Sequence, residues 1–214
     1  RGYPEDETNV AVLQEAAREA GFDVAFAFAD ELEFSATEGM FIQEPIHGHY
    51  VRFDFWFKLI PWESVAAEEP GLVQLLTQLS HSRKLLILNP AYTLLFQSKY
   101  LLKVLWDLYP YHPLLLQTES YRFVHKKIVS KVLFGREGAN IDIIEKGGAV
   151  SQQTDGEYAN QKRIYQEFYP LLQDEAAAYY QAGVFYAGEP CALGFRRGGI
   201  VLDNKAQFVG HLIT

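Results

Sequence analysis

"SKVLFGREGAN", residues 130–140, decides how the chain is read. A strand-like run through Ile128, Val132 and Phe134 enters a Gly-x-x-Gly turn, Gly135-Arg136-Glu137-Gly138, and a second apolar run, "NIDIIEK", follows it. Two such runs about a glycine turn make a hairpin between antiparallel strands. Lys131 then has two readings. As an ordinary strand residue it points to water. As a ligand, its ammonium joins the turn's backbone N–H groups around an anion, because glycines let a backbone approach phosphate closely. A Walker A loop is excluded: it needs the lysine after the glycines and a helix beyond, and here the lysine precedes the turn and a strand follows.

Working outward, the 214 residues are 49% hydrophobic and 14% aromatic, enough for one large domain or two small ones with a substantial core. Fifteen Phe, thirteen Tyr and three Trp suit a sheet-rich interior or a cleft walled by rings. A formal net charge of −8 argues against nucleic acid and anionic membranes as general partners, since both need a positive field. The longest apolar stretches, such as "LLILNPAYTLLF", are broken by Asn and Pro, so no membrane-spanning helix is expected. A single cysteine, Cys191, forbids an intrachain disulfide and fits a cytoplasmic location; it reads as a small buried apolar residue. The opening "RGYPEDETN" reads as a loop, and a start at Arg1 without methionine reads as a piece of a longer product.

Helical spacing is clear in "NVAVLQEAAREAG", "PWESVAAEEPG", "GLVQLLTQLS" and "QSKYLLKVLWDLYPYHP", the last cut off by Pro110 and Pro113. Between these, "FDVAFAFADELEF", "HYVRFDFWFKLI" and "KLLILNP" read as strands. From Phe123 onward the texture is strand and glycine turn: "FVHKKIVSKVLF", "NIDIIEK", "KRIYQEFY", "AAAYYQAGVFYAG", "CALGFRR" and "GIVLD". The expected fold is α/β (α+β), mixed in the N-terminal half and antiparallel and β-rich in the C-terminal half. Residues 1–85 form one portion and residues 86–214 the other.

Several residues can carry chemistry or an ordinary structural role. Lys99 heads a helix, where a cation opposes the dipole, and lies far from Lys131 in sequence. Gln166 and Glu167, in "RIYQEFYP", sit in an aromatic strand that is either a sheet edge or the wall of a purine pocket. Glu63, in "KLIPWES", caps a helix or faces a cleft. Arg196 and Arg197 precede a turn, and adjacent strand residues point to opposite faces, so one pocket takes at most one of them. His47 and His49 lack a third ligand, and Asp203-Asn204 is ordinary turn chemistry; no metal ligand is assigned.

Taken in order, "FKLIPWES", "NPAYTLLFQSKYLLKVLWDLYPYHPLLL", "SKVLFGREGANIDII", "IYQEFYP" and the closing "FVGHLI" resemble the synthetase domain of the glutathionylspermidine synthase family, which has an ATP-grasp fold. The resemblance implies an ATP-dependent carboxylate–amine ligase that works through an acyl phosphate, with ATP and Mg²⁺ as cofactors and a small-molecule carboxylate and amine as substrates. It makes residues 1–85 the substrate-side portion preceding the ATP-grasp, and residues 86–214 the nucleotide-binding portion. It places Lys99 and Lys131 on the nucleotide phosphates, the turn Gly135, Arg136, Glu137 and Gly138 over them, and Gln166 and Glu167 in the hinge that reads adenine. Glu63 would face the acceptor substrate, and Arg196 would act catalytically on a phosphate or on the acyl intermediate.

The chain departs from the family pattern at two places. Val132 stands where the family usually has proline after the lysine. The family's magnesium ligands belong to an Arg-x-Asp … Glu-x-Asn pattern that these residues do not contain; Arg52 and Asp54 match the first spacing, but no Glu-x-Asn follows. Weak or no catalysis is therefore expected of this stretch by itself, and a non-catalytic nucleotide-binding or scaffold module is the alternative.

Overall fold

The computed structural model describes residues 4–44 and 46–212. Arg1–Tyr3 of the opening segment and Ile213 of "FVGHLI" lie outside the described residues. The chain is α+β and forms two compact units, one running to Leu94 and one from Leu95.

The first unit opens with α1 (Pro4–Glu19), which begins earlier than its apolar stripe and takes in residues read from sequence as a loop. The reason is local: Pro4 is preset for a first helical position, and Glu5, Asp6 and Glu7 complement the positive end of the helix. The helix ends in a glycine cap, with Gly21 at φ +87° and the N–H groups of Gly21 and Phe22 returning to the carbonyls of Arg18 and Ala17.

The expected strand over "FDVAFAFADELEF" shrinks to β1 (Leu32–Ser35), because residues 22–28 alternate correctly but have no strand beside them. β1, β2 (Gly39–Gln43) and β3 (Tyr50–Phe53) form an antiparallel meander. The single run "HYVRFDFWF" breaks at Asp54: its second part, β4 (Phe55–Phe57), leaves the meander and pairs in parallel with β5 (Leu86–Leu88). A parallel pair needs a long crossover, supplied here by α2 (Trp62–Glu68) and α3 (Pro70–His81). The apolar stripe of α3 brings Leu76 and Leu79 against Met40, Trp62, Leu85 and Ile87. With both leucines fully buried, each contributes about 2 kcal/mol. Residues 86–94, assigned by sequence to the nucleotide-binding portion, pack with this unit through β5.

The second unit follows α4 (Leu94–Gln97) with α5 (Tyr100–Leu108), which stops before Pro110 as the sequence requires. Its larger sheet has the order β6-β10-β7-β8-β9, built from β6 (Thr118–Glu119), β7 (Ile128–Val132), β8 (Asp142–Ile144), β9 (Val150–Gln153) and β10 (Arg163–Glu167), every pair antiparallel. One face carries the core of Phe123, Ile128 and Ile144 with Tyr165.

A second antiparallel sheet joins β11 (Leu172–Gln173), β12 (Tyr179–Tyr186), β13 (Pro190–Gly198) and β14 (Gln207–Val209). "GIVLD" is not a strand; it turns back after β13 as a loop, and that loop reappears in the site. Cys191 is exposed rather than buried, since the outer half of the β12–β13 hairpin leaves both faces open.

Candidate functional site

Residues opposite one another in an antiparallel ladder share a face. Lys131 lies opposite Ile164, and Val129 opposite both Gln166 and Ile143, so these side chains form the sheet face turned away from the Phe123–Ile144 core. Over this face opens a cavity of about 640 Å³, whose walls include Val129, Ile141 and Ile143 on one side and Ile200, Val201 and Leu202 of the loop after β13 on the other. Glu167, Phe168 and Tyr169, where β10 leaves the sheet, also line it. Its size lies in the range of small-molecule sites, and its mix of apolar walls with a few convergent polar groups is typical of them.

The polar groups are Lys131, Lys99 and Gln166. Lys131 Nζ donates to Gln166 Oε1 at 2.7 Å, Gln166 Nε2 donates to Thr118 Oγ1 at 3.0 Å, and the Thr118 hydroxyl donates to the Leu116 carbonyl at 3.0 Å. Gln166 and Thr118 are buried, so this relay fixes which way the amide faces and presents its carbonyl to the ammonium. Burial, and after it the nearby charge of Lys99, bring the Lys131 ammonium down to about 8.

Lys99 itself caps α5, and its Nζ donates to the Gly135 carbonyl. Burial, then the Arg136 charge, lowers its affinity for a proton. Two lysines far apart in sequence thus meet at one cavity, each penalised for holding its charge without a counter-ion. Such a pair marks the cavity as a candidate anion site.

Only part of the glycine turn reaches the cavity. Gly138 lines it, at φ +71°, and a Cβ there would stand 2.7 Å from the Leu202 carbonyl oxygen. Gly135 has no room for a side chain, since a Cβ would stand 2.4 Å from Val132 Cγ2. Arg136 and Glu137 are exposed beside the cavity, and Arg136 acts on Lys99 through its charge. The Glu167 carboxylate is held by Lys126 at 2.8 Å. The N–H groups of Glu167 and Phe168 go to the Gln117 and Lys127 carbonyls. Beyond them, Tyr169 and Leu171 also line the cavity.

Arg196 lies opposite Gln181, a cavity residue, but its guanidinium donates to the Asp203 carbonyl at 2.8 Å and so braces the loop carrying Val201 and Leu202. Arg197 points the other way, to Asp174. Asp203 accepts from the Lys205 N–H at 2.9 Å, an Asx turn.

Glu63 is in the first unit, in the first turn of α2. Its charge supports that of Lys58, a residue the sequence reading passed over: Lys58 is 2% exposed, donates to the Ile60 carbonyl at 2.6 Å and stands 3.8 Å over the Trp62 ring. Burial takes Lys58 down to about 8 despite Glu63. Arg52 and Asp54 pair with each other at 2.6 Å. Among the described residues no group of three or more His, Cys, Asp or Glu side chains is placed to hold a metal ion, and no helix is long and apolar enough to cross a membrane.

Lys58 and Lys131, both lowered to about 8, carry a measurable consequence. Unfolded, each keeps its proton up to about pH 10.5, whereas folded it releases it near 8. Between those values the unfolded chain holds more protons, so this contribution to stability rises with pH. Urea unfolding from pH 7 to 10.5 is expected to show a rise that shrinks in Lys58→Met and in Lys131→Met; equal pH slopes in all three proteins would contradict the burial of both ammonium groups.

The profile of the family described as "Glutathionylspermidine synthase preATP-grasp" matches residues 1–214. A Haemophilus influenzae protein provisionally named an acid–amine ligase is 28% identical over 97% of this chain and 53% of its own length. The bifunctional glutathionylspermidine synthetase/amidase of Escherichia coli is 32% identical over 49% of this chain and 17% of its own. Trypanothione synthetase of Crithidia fasciculata is 26% identical over 53% of this chain and 18% of its own. The chain therefore spans about half the length of the first relative and under a fifth of the other two. Its α+β architecture, with several antiparallel sheets, is ATP-grasp-like.

Proposed function

The chain belongs to the glutathionylspermidine synthase preATP-grasp family, and on that premise we propose that it is the nucleotide-holding part of an ATP-dependent carboxylate–amine ligase. The observation that carries this reading is the convergence of Lys99 and Lys131 at one apolar-walled cavity. Apolar walls of Val129, Ile143 and Leu202 suit a purine, and two ammonium groups under-supplied with counter-charge suit a triphosphate. When bound, ATP would supply the γ-phosphoryl group that activates a substrate carboxylate toward an amine, with ADP and phosphate as the groups released.

The residues of this chain bind and orient. Gln166 holds the Lys131 ammonium in place, Lys99 ties the Gly135 turn to the head of α5, and Arg196 braces the loop that closes the cavity. Catalysis in this scheme is positioning plus charge neutralisation. Mg²⁺ would accompany the bound triphosphate; among the described residues no group of three or more His, Cys, Asp or Glu side chains is placed to hold it. Glu63 is the residue of the first unit proposed to hold the acceptor's amine. The free, exposed Cys191 is compatible with a reducing cytoplasm.

Two relatives are named for joining glutathione and a polyamine or for making trypanothione, which makes glutathione and spermidine the first pair to test. In the full-length gene product, ADP formation from MgATP is expected only when a carboxylate and an amine are both present, and it should be lost in Lys131→Met. ATP binding without turnover on any such pair would favour the binding-module alternative. Turnover that survives in Lys131→Met would overturn the assignment of this cavity.

A further inference from the structure

The turn over residues 133–140 is held less by itself than by a segment behind it. Arg163 points to the sheet face opposite the cavity, and its guanidinium reaches three elements at once. Nε donates to Ser130 Oγ of β7 at 2.6 Å, and Nη2 donates to Asp142 Oδ2 of β8 and to the Asn140 carbonyl at the turn's end, both at 2.7 Å. Other braces come from the same stretch of chain. Thr154 Oγ1 donates to the Gly138 carbonyl at 2.6 Å, Gln161 Oε1 accepts from the Phe134 N–H at 2.9 Å, and Asn140 Oδ1 accepts from the Tyr158 N–H at 2.9 Å.

These braces have something to hold. Glu137 and Asn140 stand at φ +51° and +54°, a left-handed conformation that costs a side-chain-bearing residue about 1–2 kcal/mol. Such conformations persist only where the surroundings over-determine them. This turn has one closing bond of its own, from the Ala139 N–H to the Arg136 carbonyl, and is tied at Gly135 by Lys99; most of its other braces come from residues 154–163.

We propose that Arg163 is a positioning residue for phosphate binding: from behind the sheet it keeps the Gly135–Gly138 turn in the shape that lets its backbone approach the phosphates of a nucleoside triphosphate, without touching the ligand. The ligand class rests on the nucleotide reading above; the mechanical role does not. The contacts use the guanidinium's Nε and Nη2 together, a fork that a lysine cannot reproduce.

The test uses Arg163→Lys, which keeps a cation beside the partly buried Asp142, with Arg163→Met as the second variant. Without nucleotide, amide exchange at Ala139, Asn140 and Ile141, all hydrogen-bonded within or beside the turn, is expected to speed up by about tenfold or more, the loss of roughly one hydrogen bond. Amides of the β7–β10 ladder should keep their protection. In titrations, ATP affinity should fall by about tenfold while adenosine affinity is unchanged. Unaltered turn exchange, or equal loss for adenosine and ATP, would overturn the positioning role. If the unmodified protein binds no ATP, the nucleotide reading fails, and the exchange comparison still decides whether Arg163 holds the turn.

Discussion

Lys131→Met is expected to weaken ATP binding by about a hundredfold and to leave the melting temperature within about 4 °C of the parent. The binding loss follows from removing one buried ammonium–phosphate contact, worth about 3 kcal/mol at most. Stability changes little because two effects oppose. Methionine takes away a charge that burial already destabilises, bringing it to about 8, while the buried Gln166 carbonyl loses its donor, and a net change of about 1 kcal/mol moves the melting temperature by only a few degrees. Calorimetric titration and a thermal scan of the same samples check both halves. A variant that unfolds early would make Lys131 a structural residue; one that binds ATP as the parent does would make it a solvated strand lysine.

Gly138→Ala carries the next largest effect, a destabilisation of about 3 kcal/mol. Two terms add: a left-handed φ of +71°, and a Cβ placed 2.7 Å from the Leu202 carbonyl oxygen and 2.9 Å from Val201 Cγ1. Gly147→Ala separates them. That residue also has a positive φ, +93°, but a Cβ there meets nothing within 4 Å, so it should cost only the conformational term of about 1 kcal/mol. Urea midpoints of the two variants measure the difference. Equal midpoints would mean that the loop carrying Val201 and Leu202 does not press on the turn.

Local signals were legible wherever one element carries its own reason. The stripe of α3, the proline stop after α5, and the glycine turns between the strands of the larger sheet all appear where periodicity and turn chemistry put them. Lys131 stood out because it lies in an apolar run just before Gly-x-x-Gly, where a solvated strand residue and an anion ligand both fit. What stayed hidden depends on partners. Residues 22–28 alternate like a strand and find no neighbour, "HYVRFDFWF" divides between two sheets at Asp54, and "GIVLD" folds as a loop against Gly138.

The meeting of Lys99 with Lys131, the burial of Thr118 beneath Gln166 and the bracing by Arg163 arise from strand order, which no local pattern specifies. Lys58 was missed for another reason: in "FKLIPWES" the carboxylate of Glu63 drew the reading, although the buried group is the lysine two residues before the Ile60 carbonyl that accepts its hydrogen bond.

The central claim is that the cavity above β7 and β10 holds a nucleoside triphosphate between two lysines. A crystal structure of the chain with a non-hydrolysable ATP analogue tests it most directly. Phosphate oxygens within about 3 Å of both Lys99 Nζ and Lys131 Nζ, with the base between Val129, Ile143 and Leu202, is the predicted result. An analogue bound elsewhere, or one whose phosphates approach neither lysine, would contradict the account.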